Sequence, residues 1–174
     1  KGGWFKIGVN MQNDTDEDRI VYLNVENVEV RISSLSNAAM KWFDYTEDPS
    51  DMPWDSELKL QLDEFPDITF KYTPYEIIAT TSNGNTILIT GMPIWNAYFT
   101  DLTGDGFPEI CSEVSFGSGI IDNHVIIFDY ANGVSYKLAD RGYHDYFLRM
   151  NDTDGCLYVD KKLYKSDEFV SSGK

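Results

Sequence analysis

Oxygen-bearing side chains fall at the first, third, fifth and ninth places of one short stretch, Asp101-Leu102-Thr103-Gly104-Asp105-Gly106-Phe107-Pro108-Glu109. A hard divalent cation such as Ca²⁺ needs about six to eight oxygens converging on one point. Alternate residues of a curled segment face inward, so Asp101, Thr103, Asp105 and Glu109 supply side chains to a common centre. Phe107 offers its backbone carbonyl, and Gly106 permits the sharp turn. The same segment also suits a plain hairpin turn, in which Asp, Gly and Pro are chosen for backbone reasons alone. Both readings stay open at the level of sequence.

A weaker relative, Asn151-Asp152-Thr153-Asp154-Gly155, places oxygens at alternate positions but has no closing acid, and it reads as a β-turn. The acidic run Asp14 to Asp18 reads as a solvated turn rather than a ligand cluster. Catalytic patterns are sparse. His124 and His144 are the only histidines and no HExxH occurs, so a zinc peptidase centre is excluded. Phe116-Gly117-Ser118-Gly119 sets a serine between glycines without forming GxSxG, and it reads as a loop. Ser56-Glu57-Leu58-Lys59 and Ser171-Ser172-Gly173-Lys174 match SxxK, but no KTG follows. Paired acids for glycoside hydrolysis are too numerous for spacing to select two. The expectation is a binding domain rather than an enzyme, with a carbohydrate-active hydrolase as a distant alternative.

Acids outnumber bases by 29 to 14, giving a formal charge of −15. Such a surface repels phosphate backbones and anionic headgroups, which excludes nucleic acid and direct membrane-surface binding as expected partners. An apolar content of 42% suffices for a sizeable core. No apolar run approaches the roughly 20 residues that span a bilayer. Lys1-Gly2-Gly3 reads as the start of a segment cut from something longer, so membrane association would come only through an anchor or fused segment removed with it. Cys111 and Cys156 fit no zinc spacing. They suit either one disulfide in an oxidising compartment or two small buried apolar residues.

The elements that must position the Asp101 loop are mostly strands. Period-two alternation or β-rich composition marks Lys6–Val9, Ile20–Ile32, Leu58–Leu62, Ile68–Tyr72, Glu76–Thr81, Thr86–Thr90, Trp95–Thr100, Glu109–Phe116, His124–Tyr130, Val134–Leu138, Tyr146–Met150 and Leu157–Val159. Asn83-Gly84 between two such runs is a hairpin signal, and Asp105-Gly106, Asn132-Gly133 and Asp154-Gly155 mark further turns. Leu35 to Tyr45 is the one expected helix, capped by Ser36 or Asn37 and carrying Ala38, Ala39 and Met40. The stretch 46–56, with Pro49 and Pro53, is a loop and the one place for a subdomain break in an otherwise single domain over 1–174. The expected fold is mainly β: an antiparallel meander, sandwich or partial-propeller-like sheet with one short helix. Trp42-Phe43, Trp54, Trp95 and Tyr143–Phe147 could form a stacking platform for sugar or peptide, although most aromatics of such a domain belong to its core.

The oxygen spacing of the Asp101 loop resembles the calcium loop of FG-GAP and related surface repeats, which lies between two strands. Thr103 stands where that pattern carries Asp or Asn, and only one repeat occurs. A twelfth-position acid, as in an EF-hand, is replaced by Ser112. The strings Gly91-Met92-Pro93-Ile94-Trp95-Asn96-Ala97-Tyr98-Phe99-Thr100, Ser115-Phe116-Gly117-Ser118-Gly119-Ile120-Ile121 and Phe128-Asp129-Tyr130 are uncommon. Over residues 57–150 the chain is similar to a C-terminal extracytoplasmic domain of clostridial BlaR-type sensor metallopeptidases and related secreted or lipid-anchored proteins. That resemblance implies a location at a Gram-positive cell surface and a sensing or accessory role, with an extracellular or envelope ligand of unknown identity. It carries over neither the peptidase nor the β-lactam-acylating machinery. A structural module that supports a neighbouring membrane peptidase or sensor is the alternative.

Overall fold

Asn96–Thr100 is buried at every residue and Glu109–Phe116 at all but its last, rather than on alternate side chains. Strands of that kind need cover on both faces, and the architecture supplies it. The structure, a computed structural model, describes residues 20–22, 39–117, 122–140, 143–164 and 169–173. In chain order the strands are β1 (Ile20–Tyr22), β2 (Met40–Asp44), β3 (Leu58–Leu60), β4 (Thr69–Thr73), β5 (Glu76–Thr81), β6 (Gly84–Thr90), β7 (Asn96–Thr100), β8 (Glu109–Phe116), β9 (Asp122–Asp129), β10 (Val134–Leu138), β11 (His144–Met150), β12 (Leu157–Leu163) and β13 (Phe169–Gly173).

Six strands make one sheet in the order β1-β10-β9-β8-β7-β2, antiparallel except where β1 runs parallel to β10. A four-stranded sheet, β3-β4-β5-β6, and a three-stranded sheet, β11-β12-β13, are antiparallel throughout. The chain is therefore mainly β, built as a layered sandwich of antiparallel sheets. Strand alternation divides the six-stranded sheet between two cores. Ala97, Phe99, Ile110, Val114 and Ile126 join Phe70, Tyr72, Ile77 and Ile89 of the four-stranded sheet in one. Tyr98, Cys111, Val125 and Ile127, from intervening positions, join Leu148, Leu157 and Val159 of the three-stranded sheet in the other. The six-stranded sheet is the middle layer of three.

The short helix expected over Leu35–Tyr45 is not formed where it is described: Met40–Asp44 is strand β2, paired with β7, and residues 35–38 lie outside the described residues. Helix propensity separates ordinary residues by at most about 0.7 kcal/mol each. Burying an aromatic side chain is worth roughly 1.5–3 kcal/mol. Phe43 packs its ring 3.8 Å from Tyr72, and Trp42 lies 5.8 Å from Phe99, so burial decides the conformation. The only helical turn among the described residues is a single 3₁₀ turn, Pro49–Asp51, whose Asp48 accepts the N–H of Ser50. The Lys6–Val9 run, the Asp14–Asp18 turn and all of Ile20–Ile32 beyond β1 also fall outside the described residues.

The Asn83-Gly84 hairpin forms between β5 and β6, with Thr81 opposite Gly84. A second glycine matters for space rather than dihedral freedom. A methyl group on Gly91 would lie 2.8 Å from Ile94 Cγ1 and 2.9 Å from the Pro93 carbonyl oxygen. Overpacking of this sort costs about 1–3 kcal/mol, so Gly91→Ala should reduce unfolding stability by that amount, seen as a lower denaturation midpoint with an unchanged denaturant slope.

Two hydrogen bonds fasten the middle layer to Leu148 of the three-stranded sheet, and a third links the two side chains' strands. Asn96 Nδ2 donates to the Leu148 carbonyl at 2.7 Å, and Leu148 N–H donates to Glu113 Oε2 at 2.9 Å. The Glu113 N–H in turn donates to Asn96 Oδ1 at 2.8 Å. Two side chains thereby give the backbone of β11 what a neighbouring strand would otherwise supply.

Candidate metal site

The register Tyr98↔Cys111, Phe99↔Ile110, Thr100↔Glu109 sets the end of β7 beside the start of β8, so the loop between them closes on itself. Asp101 is buried at the loop's first position. Its Oδ1 accepts the N–H groups of Gly104 at 2.7 Å and Asp105 at 3.2 Å, and its Oδ2 accepts that of Gly106 at 3.0 Å. Gly104 and Gly106 have φ of 73° and 93°, the left-handed region that side chains disfavour, and these turns aim the three N–H groups at one carboxylate. Asp105 Oδ1 accepts the Phe107 N–H at 2.9 Å, and Glu109 Oε2 accepts the Leu102 N–H at 2.5 Å.

One carboxylate oxygen from each of Asp101, Asp105 and Glu109 lies within 4.8 Å of the other two. Ligands at about 2.3–2.6 Å from one calcium ion lie at most about 5 Å apart, so this group could hold a metal ion. Hydrogen bonding within the turn accounts for both oxygens of Asp101. It accounts for Oε2 of Glu109 alone: the side chain is 1% exposed, and its Oε1 is buried with no hydrogen-bond partner. Burial pushes the Glu109 carboxyl above the usual range, against the opposing pull of the Leu102 N–H and the Thr103 hydroxyl, and the Asp129 carboxylate adds to the rise. Among the described residues, no Lys, Arg or His forms an ion pair with Asp101, Asp105, Glu109 or Asp129.

Of the five residues that the spacing singled out, the three carboxylates are brought together. The Thr103 hydroxyl acts on Glu109. Phe107 keeps its ring 5.5 Å from that of Phe65, which ties the loop to the core beneath it. Sequence reasoning missed Asp129 and Asn132. Asn132 Nδ2 donates to Asp105 Oδ2 at 3.2 Å and to Asp129 Oδ2 at 2.8 Å. Only strand pairing brings these two next to the loop, so no local spacing could have marked them.

The remaining candidates have local explanations. In the Asn151–Gly155 segment, Gly155 N–H donates to the Asn151 carbonyl at 2.7 Å, an i→i+4 bond that closes an α-turn, one residue longer than the expected β-turn. Lys59 of the SxxK match pairs with Glu57 at 2.6 Å. His144 Nδ1 contacts Asp140 Oδ2 at 2.7 Å, while His124 is buried 3.4 Å from Asp122. Cys111 and Cys156 are both buried free thiols, and burial pushes the Cys111 thiol far up. Among the aromatics, Phe43 is core, Trp42 packs against it and Trp95 Nε1 donates to Ser115 Oγ at 2.6 Å. Trp54 (49% exposed) faces solvent together with Tyr75 (51%), their ring centroids 6.4 Å apart. No described helix is long and apolar enough to cross a membrane. Comparisons with family models, curated proteins and solved structures returned no match to this chain.

Proposed function

We propose that this chain is a non-catalytic binding or sensing domain, displayed outside the cytoplasm of a Gram-positive bacterium, whose Asp101–Glu109 loop is fastened by Ca²⁺. One observation carries the calcium reading: Glu109 has a buried oxygen without a partner, and its carboxylate lies within 4.8 Å of two others. Leaving a buried acceptor unsatisfied costs roughly 1–3 kcal/mol, and an oxygen-seeking cation removes that cost. Calcium is favoured over softer ions because the donors are all oxygen, and over magnesium because a curled loop does not impose strict octahedral geometry. The solvent-facing Trp54–Tyr75 pair supports the binding role, since such rings offer large contact area at small entropic cost. The strings around β7 and β8, similar to those of BlaR-type surface domains, support the location.

Calorimetry on chelator-stripped protein, followed by calcium titration and melting, tests the metal reading. One saturable site is expected, with the melting temperature rising as calcium exceeds the dissociation constant. At a hundredfold excess the gain is about 2.7 kcal/mol. Absence of binding heat together with an unmoved melting temperature would overturn it.

A further inference from the structure

We propose that the cation site extends beyond its own loop, with Asp129 and Asn132 of the β9–β10 turn as its second half, so that one ion ties two adjacent hairpin ends together. The inference rests on the calcium reading above and adds the elements that the ion couples. Pairing of Ile110 with Phe128 places Glu109 and Asp129 one step further along neighbouring strands, at the same end of the middle sheet. Both carboxylates are buried there. Asp129 also organises the β9–β10 turn: its Oδ1 accepts the Asn132 N–H at 2.9 Å.

The Asn132 amide has two hydrogens, and each goes to a different carboxylate. One holds Asp105 Oδ2 at 3.2 Å and the other holds Asp129 Oδ2 at 2.8 Å. Asp105 is the exposed member of the three candidate ligands, so it is the one whose rotamer burial does not fix. Asn132 performs that fixing from outside, as partners of metal ligands commonly do. Asp129 brings a fourth carboxylate to a place where no described basic side chain pairs with the others. A divalent cation compensates this charge and draws the two turns toward one another. Asn132 is a positioning residue in this account, and Asp129 supplies charge and holds Asn132.

The test uses the whole chain with Ca²⁺, and with Tb³⁺ as a luminescent substitute. Asn132→Ala, at an exposed position, should weaken calcium binding roughly 10- to 100-fold. Amide hydrogen exchange over residues 130–133 supplies a second readout: calcium should slow it in the wild type and leave it unchanged in N132A. Asp129→Asn should weaken binding as well. Asn83→Ala, the same change in the β5–β6 hairpin, should leave affinity at the wild-type value. Full calcium affinity in N132A, with exchange at 130–133 indifferent to the ion, would sink the extended site while leaving the loop site standing. A wild type that binds no calcium removes both.

Discussion

Replacing Glu113 with glutamine is expected to abolish a fall in stability that the wild type shows as pH rises from about 5 to 9. Glu113 lies in the middle sheet at 3% exposure, and burial, with the carboxylates of Asp44, Asp145 and Asp160 nearby, pushes its carboxyl up from 4.5 to about 8. The direction of the effect follows from proton binding. Between those two values the folded chain holds a proton that the unfolded chain has released. The contribution is therefore complete below pH 4.5 and is lost as pH rises through about 8. At about 1.4 kcal/mol per pKa unit, the loss amounts to a few kcal/mol. The glutamine side chain in E113Q would keep an acceptor for the Leu148 N–H and carry no charge at any pH. Urea denaturation of both proteins at pH 5 and pH 9 should give similar midpoints at the lower pH and a clear advantage for E113Q at the higher. Equal wild-type midpoints at both pH values would contradict the assignment.

Asp101→Ala should produce the second large effect, separable into two parts. Without calcium, the substitution leaves the N–H groups of Gly104, Asp105 and Gly106 without the acceptor they share. Gly104 and Asp105 are exposed and Gly106 is half-buried, so water takes over the donors and each lost hydrogen bond costs about 0.5–1.5 kcal/mol, and the glycine turns lose what holds them. With calcium, the variant should show no stabilisation at ion concentrations that protect the wild type. Asp101→Asn separates the two parts, because its carbonyl oxygen still accepts from Gly104 and Asp105 while its amide cannot accept from Gly106. The expected order of calcium-free stability is wild type, then D101N, then D101A, with calcium response weakened in both variants. Melting curves in chelator and in excess calcium would establish that order, and an unaltered calcium response in D101A would remove Asp101 from the site.

Much of this architecture is legible in the residues. Glu109–Phe116 and Val134–Leu138 form strands with the bounds that composition suggested, and Asn83-Gly84 turns as its dihedral tolerance requires. The convergence of Asp101, Asp105 and Glu109 follows from period-two geometry and glycine placement, both local properties. What escaped is non-local. Ala39 and Met40 suggest helix only while the partners of Trp42 and Phe43 are unknown; Tyr72 and Phe99 are distant in the chain and reverse the preference. Asp129 reads as part of a strand and Asn132 as an ordinary turn residue until β8 and β9 pair. Glu113 sits in a run that looks half-polar, yet both faces of its strand are covered, so its charge has nowhere to go but onto a proton.

Residues next to each other in β7 answer to different cores, Tyr98 to one and Phe99 to the other. The outer sheets meet a shared partner whose backbone cannot shift for one without shifting for the other. Melting of either outer sheet strips one face of the middle strands and removes the burial that holds them flat. Loss of order is thereby communicated across the molecule, and partial opening of one side is penalised by the other. The two halves can be followed separately: Trp42 packs against the core with the four-stranded sheet, while the backbone amides of β11 and β12 belong to the opposite sheet. The indole signal and the amide signals of β11 and β12 should therefore vanish together, at one temperature, as a single cooperative event.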